Sequence, residues 1–176
     1  PLTSGSGSYT VGVFENIEGT SYSTLFTQAI DVTIQDEFGP YLYANQYVNF
    51  SADSKVISKA MELSASANDD LEVIENIYNY IITNFTYDYD KAASVQSGYL
   101  PNVDEVLASQ TGICFDYAAV MASMLRCERI PTRLEVGYMG DVYHAWISTY
   151  LDEQGWVDNV IKFDGKNWTM MDPTFA

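Results

Sequence analysis

The sequence predicts an α+β fold, with helices first and an antiparallel sheet second. Between residues 51 and 131 apolar side chains recur at three- and four-residue steps, which is the period of a helix. After Pro131 they alternate at two-residue steps between turn signals, which is the period of half-buried strands. Segregated helices and strands of this kind pack as α+β. With 47% hydrophobic and 14% aromatic residues, 176 residues suffice for one domain-sized core and a small accessory piece.

Residues 1–49 read as a linker followed by an accessory β region, and residues 50–176 as the core. Pro1 to Ser8 has the Gly/Ser composition of a flexible tether and lacks the basic and apolar regions of a signal peptide. An aromatic-aliphatic patch runs from Tyr9 to Phe14. Ala29 to Ile34 alternates as a strand does. Phe38-Gly39-Pro40 signals a turn. Tyr41-Leu42-Tyr43 and Tyr47-Val48-Asn49-Phe50 are expected as short extended pieces.

Ser51-Ala52-Asp53 opens the first predicted helix, with Val56, Ile57, Ala60, Met61 and Leu63 on its apolar side. A second helix follows Asn68-Asp69-Asp70 and repeats Leu71, Ile74, Ile77, Tyr78, Ile81 and Phe85 on one stripe. The acids at its start suit the helix dipole. Asn84 to Asp90 reads as an exit turn, and Val103 to Ser109 as a short helix. Residues 113–126 form the next helix, with Phe115, Ala118, Ala119, Ala122 and Leu125 buried. Arg126 and Arg129 fall near its end, where positive charge is favoured, and Pro131 closes it. Strands are expected over Arg133–Tyr138 and Val142–Leu151. Val157–Phe163 and Trp168–Met171 should form a hairpin around Asp164-Gly165-Lys166-Asn167.

The formal net charge of −16 argues against nucleic acid and anionic membrane as partners. Residues 1–54 hold six acids and no Lys or Arg. No run of 18 apolar residues is present, so no transmembrane helix is expected. Scarce Lys, a Ser/Thr/Asn/Tyr-rich composition and the tether-like start predict an extracytoplasmic, secreted or cell-surface protein. Cys114 and Cys127 bound the same predicted helix, ~20 Å apart at 1.5 Å per residue. A disulfide needs Cα atoms within about 7 Å, so both are expected as free thiols. One histidine and no Cys-x-x-Cys pair leave little from which to build a zinc site, and no Gly-rich phosphate loop is visible. No cofactor is therefore expected.

The residues that carry chemistry are Cys114, His144 and Asp172. His144 is the only histidine, so imidazole acid–base chemistry must use it. A thiol needs a base to become a good nucleophile, and the base needs a third group to orient it. Cys114 sits at a helix start just after Gly112, where unpaired backbone N–H groups favour a thiolate and can receive an oxyanion. Gly112 removes a side chain where a substrate would approach. His144 lies mid-strand, with Trp146 on the same face. Asp172, fixed by Pro173, could hold the second ring nitrogen. A lone Cys in an apolar helix is more often a core residue than a nucleophile, and Cys127 takes that reading.

Gly112-Ile113-Cys114-Phe115-Asp116-Tyr117-Ala118, His144-Ala145-Trp146 and Met171-Asp172-Pro173-Thr174 together resemble the core of the transglutaminase-like superfamily. Asn84-Phe85-Thr86-Tyr87-Asp88 resembles the element that precedes this core in bacterial members. The resemblance covers roughly residues 50–176 and implies a papain-like fold, with a nucleophile helix packed on an antiparallel sheet. It implies Cys114 as nucleophile, His144 as base and Asp172 as orienting acid. It also implies an oxyanion donor upstream, for which Tyr87 and Gln110 are both candidates. Gly112 and Trp146 join them as cleft residues.

The expected function is a cysteine-dependent amide-bond enzyme working through a thioester. Its substrate is expected to be a protein or peptide, cell-wall peptide included. The triad chemistry is common to hydrolysis and transamidation, and the resemblance favours hydrolysis. The alternatives are a catalytically silent binding module on a cell surface, and a surface domain in which the acidic β region is the functional part.

Overall fold

The computed structural model describes residues 2, 5–139, 141–158, 161–163 and 168–170. The chain divides between Pro40 and Tyr41 into two compact units. The first holds a long antiparallel hairpin, β1 (Gly7–Glu18) with β2 (Ser21–Val32). Gly19 at its tip has φ +56°, a left-handed conformation that glycine adopts without strain. Tyr9, Val11 and Val13 pair with Ile30, Gln28 and Phe26, and register shifts follow at Val13/Phe14 and Asn16/Glu18. Two-residue alternation was legible in the second strand. The first, richer in Gly and Ser, is ordered by pairing with it.

The second unit begins nine residues earlier than the boundary expected after residue 49. The reason is packing. Val48 is fully buried in the helical core and Leu42 is buried. Tyr41 meets Trp156 edge to face at 5.0 Å. Neither predicted extended piece is a strand. Gly39–Leu42 forms a single helical turn, α1. At Tyr47 and Val48 the backbone N–H groups donate to the Asn45 side chain (2.9 and 3.0 Å), which turns the chain.

The helices follow as α2 (Lys55–Ser64), α3 (Asp70–Asn84), α4 (Tyr89–Ser94), α5 (Val103–Ser109) and α6 (Cys114–Cys127). The Asp69 carboxylate caps α3 by accepting from Glu72 N–H at 2.9 Å, and Glu72 accepts from Asn68 N–H at 2.8 Å. Asn102 caps α5 in the same way, through Glu105 N–H. Between α3 and α4 lies β3 (Thr86–Tyr87), and between α5 and α6 lies β4 (Thr111–Gly112). The two strands pair in parallel. The expected exit turn over 84–90 is therefore a strand and the start of α4, capped by Asp88 through Lys91 N–H at 2.8 Å.

The helix α6 is the centre of the fold. The sequence predicts one buried stripe, but every residue from Asp116 to Arg126 is buried. The cause is its position. It packs against α2, α3 and α5 on one side, and against β5 (Thr132–Met139) and β6 (Val142–Leu151) on the other. A helix enclosed on all sides needs small or apolar residues all round. Arg126 is buried as well, and its guanidinium donates twice to the Thr132 carbonyl (3.0 and 2.8 Å) and once to that of Tyr43 (2.8 Å).

In the antiparallel sheet β6 lies between β5 and β7 (Gly155–Asp158). Ala145, Ile147 and Leu151 of β6 join the core cluster around α6. The expected strand Val157–Phe163 is two strands instead. β7 pairs with β6, whereas β8 (Ile161–Phe163) pairs with β9 (Trp168–Met170). The expected turn at 164–167 lies outside the described residues. The architecture is α+β with a papain-like arrangement of helix on sheet.

Candidate active site

Cys114 is the first residue of α6 and is half-buried. The first-turn N–H groups of a helix have no intrahelical acceptor, so this end presents partial positive charge. Two of the N–H groups at this end have partners outside the helix ladder: Ile113 N–H donates to the Asp116 carboxylate at 2.9 Å, and Cys114 N–H to the Tyr87 phenolic oxygen. Cys127 ends the same helix and is also a free thiol, as its spacing predicts. Its sulfur donates to the Met124 carbonyl at 3.0 Å. Burial pushes this thiol up to about 12, with Glu128 adding to the shift.

The strand pair β3–β4 brings Tyr87 to Cys114. Thr86 N–H donates to the Gln110 carbonyl at 2.8 Å and Asp88 N–H to that of Gly112 at 2.9 Å, so Tyr87 lies opposite Gly112. Its hydroxyl touches Cys114. Burial raises the Tyr87 phenol above its ordinary value, and Cys114 raises it further by charge and by a bond to the sulfur. The Cys114 backbone N–H, donating to the phenolic oxygen, offsets part of this. Tyr87 also meets Tyr89 at 5.0 Å and Tyr117 at 6.1 Å, both edge to face, which fixes its ring.

Gln110, the other upstream candidate, is placed differently. It closes α5 in a left-handed conformation (φ 52°), and its amide donates to the Tyr80 hydroxyl at 3.4 Å. Gly112 lies against Asp116. A Cβ there would lie 2.7 Å from the Asp116 Cβ and 2.9 Å from its Oδ2. The missing side chain makes room for Asp116.

His144 lies in β6 opposite Gly137 and is 3% exposed. Its ring stacks on Trp146, with centroids 6.4 Å apart and planes 18° apart, as two-residue alternation predicts. Trp146 Nε1 donates to Glu135 at 3.1 Å, and the Ser148 hydroxyl donates to the same carboxylate oxygen. A Cβ on Gly137 would come within 2.9 Å of the Trp146 ring, so Gly137 is what lets that ring lie against the strand. Asp172 lies outside the described residues. Among the described residues no group of three His, Cys, Asp or Glu side chains is placed to hold a metal ion.

Sequence reasoning missed Asp116, Lys91 and Tyr99, which meet beside Cys114. The available signal was Asp116 at the third helical position, where a carboxylate reaches back to the helix start.

A half-buried cysteine at the first turn of an enclosed helix, packed on an antiparallel sheet that bears the single histidine, defines a papain-like α+β domain. Comparison with known proteins agrees. The family model for the transglutaminase-like superfamily matches residues 57–173. The chain belongs to that superfamily. It is 27% identical over 106 residues to a UPF0252 protein of Methanocaldococcus jannaschii, which covers 53% of this chain and 30% of that protein. It is 32% identical over 68 residues to a protein-glutamine gamma-glutamyltransferase of Pseudomonas aeruginosa, covering 31% of this chain and 10% of the relative.

Among solved structures, a candidate cysteine protease from Cytophaga hutchinsonii superposes with a TM-score of 0.56 at 21% identity, over 80% of this chain and 43% of the other. The periplasmic domain of TgpA from Pseudomonas aeruginosa gives 0.54 at 22% identity, over 73% and 46%. At these identities the structures speak for the fold. The chain spans less than half the length of each of these proteins. No helix among the described residues is long and apolar enough to cross a membrane.

Proposed function

We propose that this chain is a cysteine-dependent amide-bond enzyme with Cys114 as nucleophile, His144 as base and Asp172 as the acid that orients His144. The observation that carries the reading is the Tyr87 hydroxyl against Cys114 at the start of α6. A phenol O–H and first-turn N–H groups beside a thiol are the donors that a tetrahedral oxyanion needs. Gln110 is occupied with Tyr80, so Tyr87 is the preferred donor.

Packing supports the Cys114–His144 pairing. Arg126 of α6 is bonded to Thr132, which pairs with Thr149 of β6. Stepping back from Arg126 to Cys114 along α6 covers ~18 Å at 1.5 Å per residue. Stepping back from Thr149 to His144 along β6 covers ~17 Å at ~3.4 Å per residue. The two steps are of similar length, which supports placing the helix start and His144 at the same end of the packed pair.

In the proposed reaction the Cys114 proton passes to His144 and the sulfur attacks the amide carbonyl carbon. The C–N bond breaks as His144 returns the proton to the leaving amine, which leaves a thioester. Water then releases an acid, or a second amine forms a new amide. Hydrolysis is favoured on family grounds and no metal is required. The substrate class is protein or peptide, with neutral or basic segments preferred because the chain carries a net charge of −16. An extracytoplasmic site of action is proposed as well, in keeping with the periplasmic domain among its structural neighbours.

The test is the pH dependence of Cys114 alkylation by iodoacetamide, read peptide by peptide in wild type and in His144→Ala. Fast labelling at pH 6 that is lost in the variant is the expected result. An onset near ~8.5, the ordinary thiol value, in both proteins would refute the enzyme and favour a binding module on a retained fold.

A further inference from the structure

Asp116 has no exposed surface, yet it carries a carboxylate two residues beyond Cys114. Its partners are complete. Lys91 Nζ donates to Oδ2 at 2.6 Å and Ile113 N–H donates to the same oxygen at 2.9 Å. The Tyr99 hydroxyl donates to Oδ1 at 2.5 Å. Lys91 also reaches the Tyr99 hydroxyl at 2.7 Å and lies 4.4 Å over its ring. A buried carboxylate is tolerated only when paired and bonded in this way.

The partners share an origin. Lys91 and Tyr99 belong to the segment that starts at Tyr87, the residue whose hydroxyl lies on Cys114. That segment is stitched to β4 at its beginning, through Thr86 and Asp88, and to α6 at Asp116 further on. Gly112 belongs to the same device, because a Cβ there would fall where the Asp116 side chain folds back.

We propose that Asp116 is a positioning residue and Lys91 its compensating cation. The pair clamps the Tyr87 segment to the start of α6 and keeps the surroundings of the Cys114 thiol near electrical neutrality. This rests on the reading of Cys114 as nucleophile. A bare carboxylate within one helical turn of Cys114 would oppose thiolate formation, and a bare ammonium would promote it. The other titratable groups around the α6 start are Tyr87, Tyr89, Tyr99, Tyr117 and Asp88, joined on the proposed reading by His144 of β6. Tyr87, Tyr99 and Tyr117 lie above the ordinary phenol value, mainly through burial, and so are uncharged near neutral pH. Asp88 spends a carboxylate oxygen on Lys91 N–H and is kept constant in the test.

The clamp makes a prediction of opposite signs that a merely structural role does not. Lys91→Gln keeps a donor for Asp116 but removes the charge. Its Cys114 labelling profile should move up by about one pH unit, slowing labelling roughly tenfold at pH values well below the wild-type midpoint. Asp116→Asn should move the profile down, and Lys91→Gln with Asp116→Asn should return it close to wild type. Lys91 has 28% side-chain exposure, so Asp116→Asn leaves a cation that water can reach. That variant keeps the test decisive if Lys91→Gln does not fold. Thermal unfolding is followed in parallel. Lower melting temperatures with coincident labelling profiles, or shifts of the same sign in both single variants, overturn the proposal. His144→Ala decides the nucleophile reading separately. A profile unmoved by His144→Ala ends that reading, while the signs at Lys91 and Asp116 still decide the clamp.

Discussion

Iodoacetamide at pH 8 should separate the two cysteines of the native protein by at least ~40-fold, even if Cys114 has no activation at all. The margin comes from Cys127. Burial, with Glu128 adding to it, pushes that thiol up to about 12, so at pH 8 roughly one molecule in ten thousand carries a thiolate there. An ordinary thiol near ~8.5 is about one-quarter thiolate at the same pH. The ratio of thiolate populations is therefore ~2,000. A more basic thiolate is the better nucleophile, by about 0.4–0.5 logarithmic units per pKa unit, which returns a factor of ~25–55 to Cys127. The product is a ratio of ~40–100, and restricted access to a buried sulfur increases it. The assay is quenched labelling followed by tryptic peptide mass spectrometry. Labelling of both peptides within a factor of a few, with circular dichroism showing an intact fold, would refute the argument. It would mean that the end of α6 opens faster than its packing allows.

The same burial sets alkaline stability. Cys127 and Tyr117 are both raised to about 12 in the fold. A raised folded value means that the folded state holds the proton more tightly. The stabilisation is complete below the unfolded values, ~8.5 for Cys and ~10 for Tyr, and is lost as pH climbs towards about 12. Thermal stability should therefore fall from about pH 9 upward, and Cys127→Ala should flatten the first part of that decline. A wild-type curve flat to pH 11 would contradict it. Arg126→Met keeps an apolar side chain at the end of α6 but strips the Thr132 carbonyl of two donors. A buried acceptor left unsatisfied costs ~1–3 kcal/mol, so a urea midpoint lowered to match is expected. Burial opposes the charge, lowering the guanidinium to about 10. An unchanged or higher midpoint would show that removing the charge outweighs the lost bonds.

Where the sequence was legible, periodicity and caps agreed with the packing. The α3 stripe at Ile74, Ile77 and Ile81 and the Asp69 cap both appear where the pattern puts them. The sheet after Pro131 was legible because alternation and the turn residues pointed the same way. Elements whose order depends on partners far along the chain were not legible. Asn45 turns the chain so that Val48 can enter a core built by helices far downstream, and β1 is a strand because β2 is beside it. Arg126 illustrates the limit of local rules. A cation near a helix C-terminus reads as a dipole partner, but closure of β5 over α6 buries it and turns it into a tie between Thr132 and Tyr43.

The candidate site divides along the same line. Cys114 and His144 could be read because a helix start and an alternating strand are local features, and scarcity made His144 unambiguous. The support around them is non-local. Tyr87 reaches Cys114 only through the parallel β3–β4 bridge, and spacing alone left it equal to Gln110. Asp116 stands in the first turn of α6 and receives Ile113 N–H. Its larger role appears only when Lys91 and Tyr99 arrive from another segment. Gly112 shows how these levels connect. Read alone, it is an opening for substrate. In the fold it is the space that admits Asp116, and through Asp116 it helps set how closely the Tyr87 segment approaches the sulfur. A Gly112→Ala chain could keep every reacting group and still lose their spacing. Side chains that touch no substrate thus belong in any account of reactivity at Cys114.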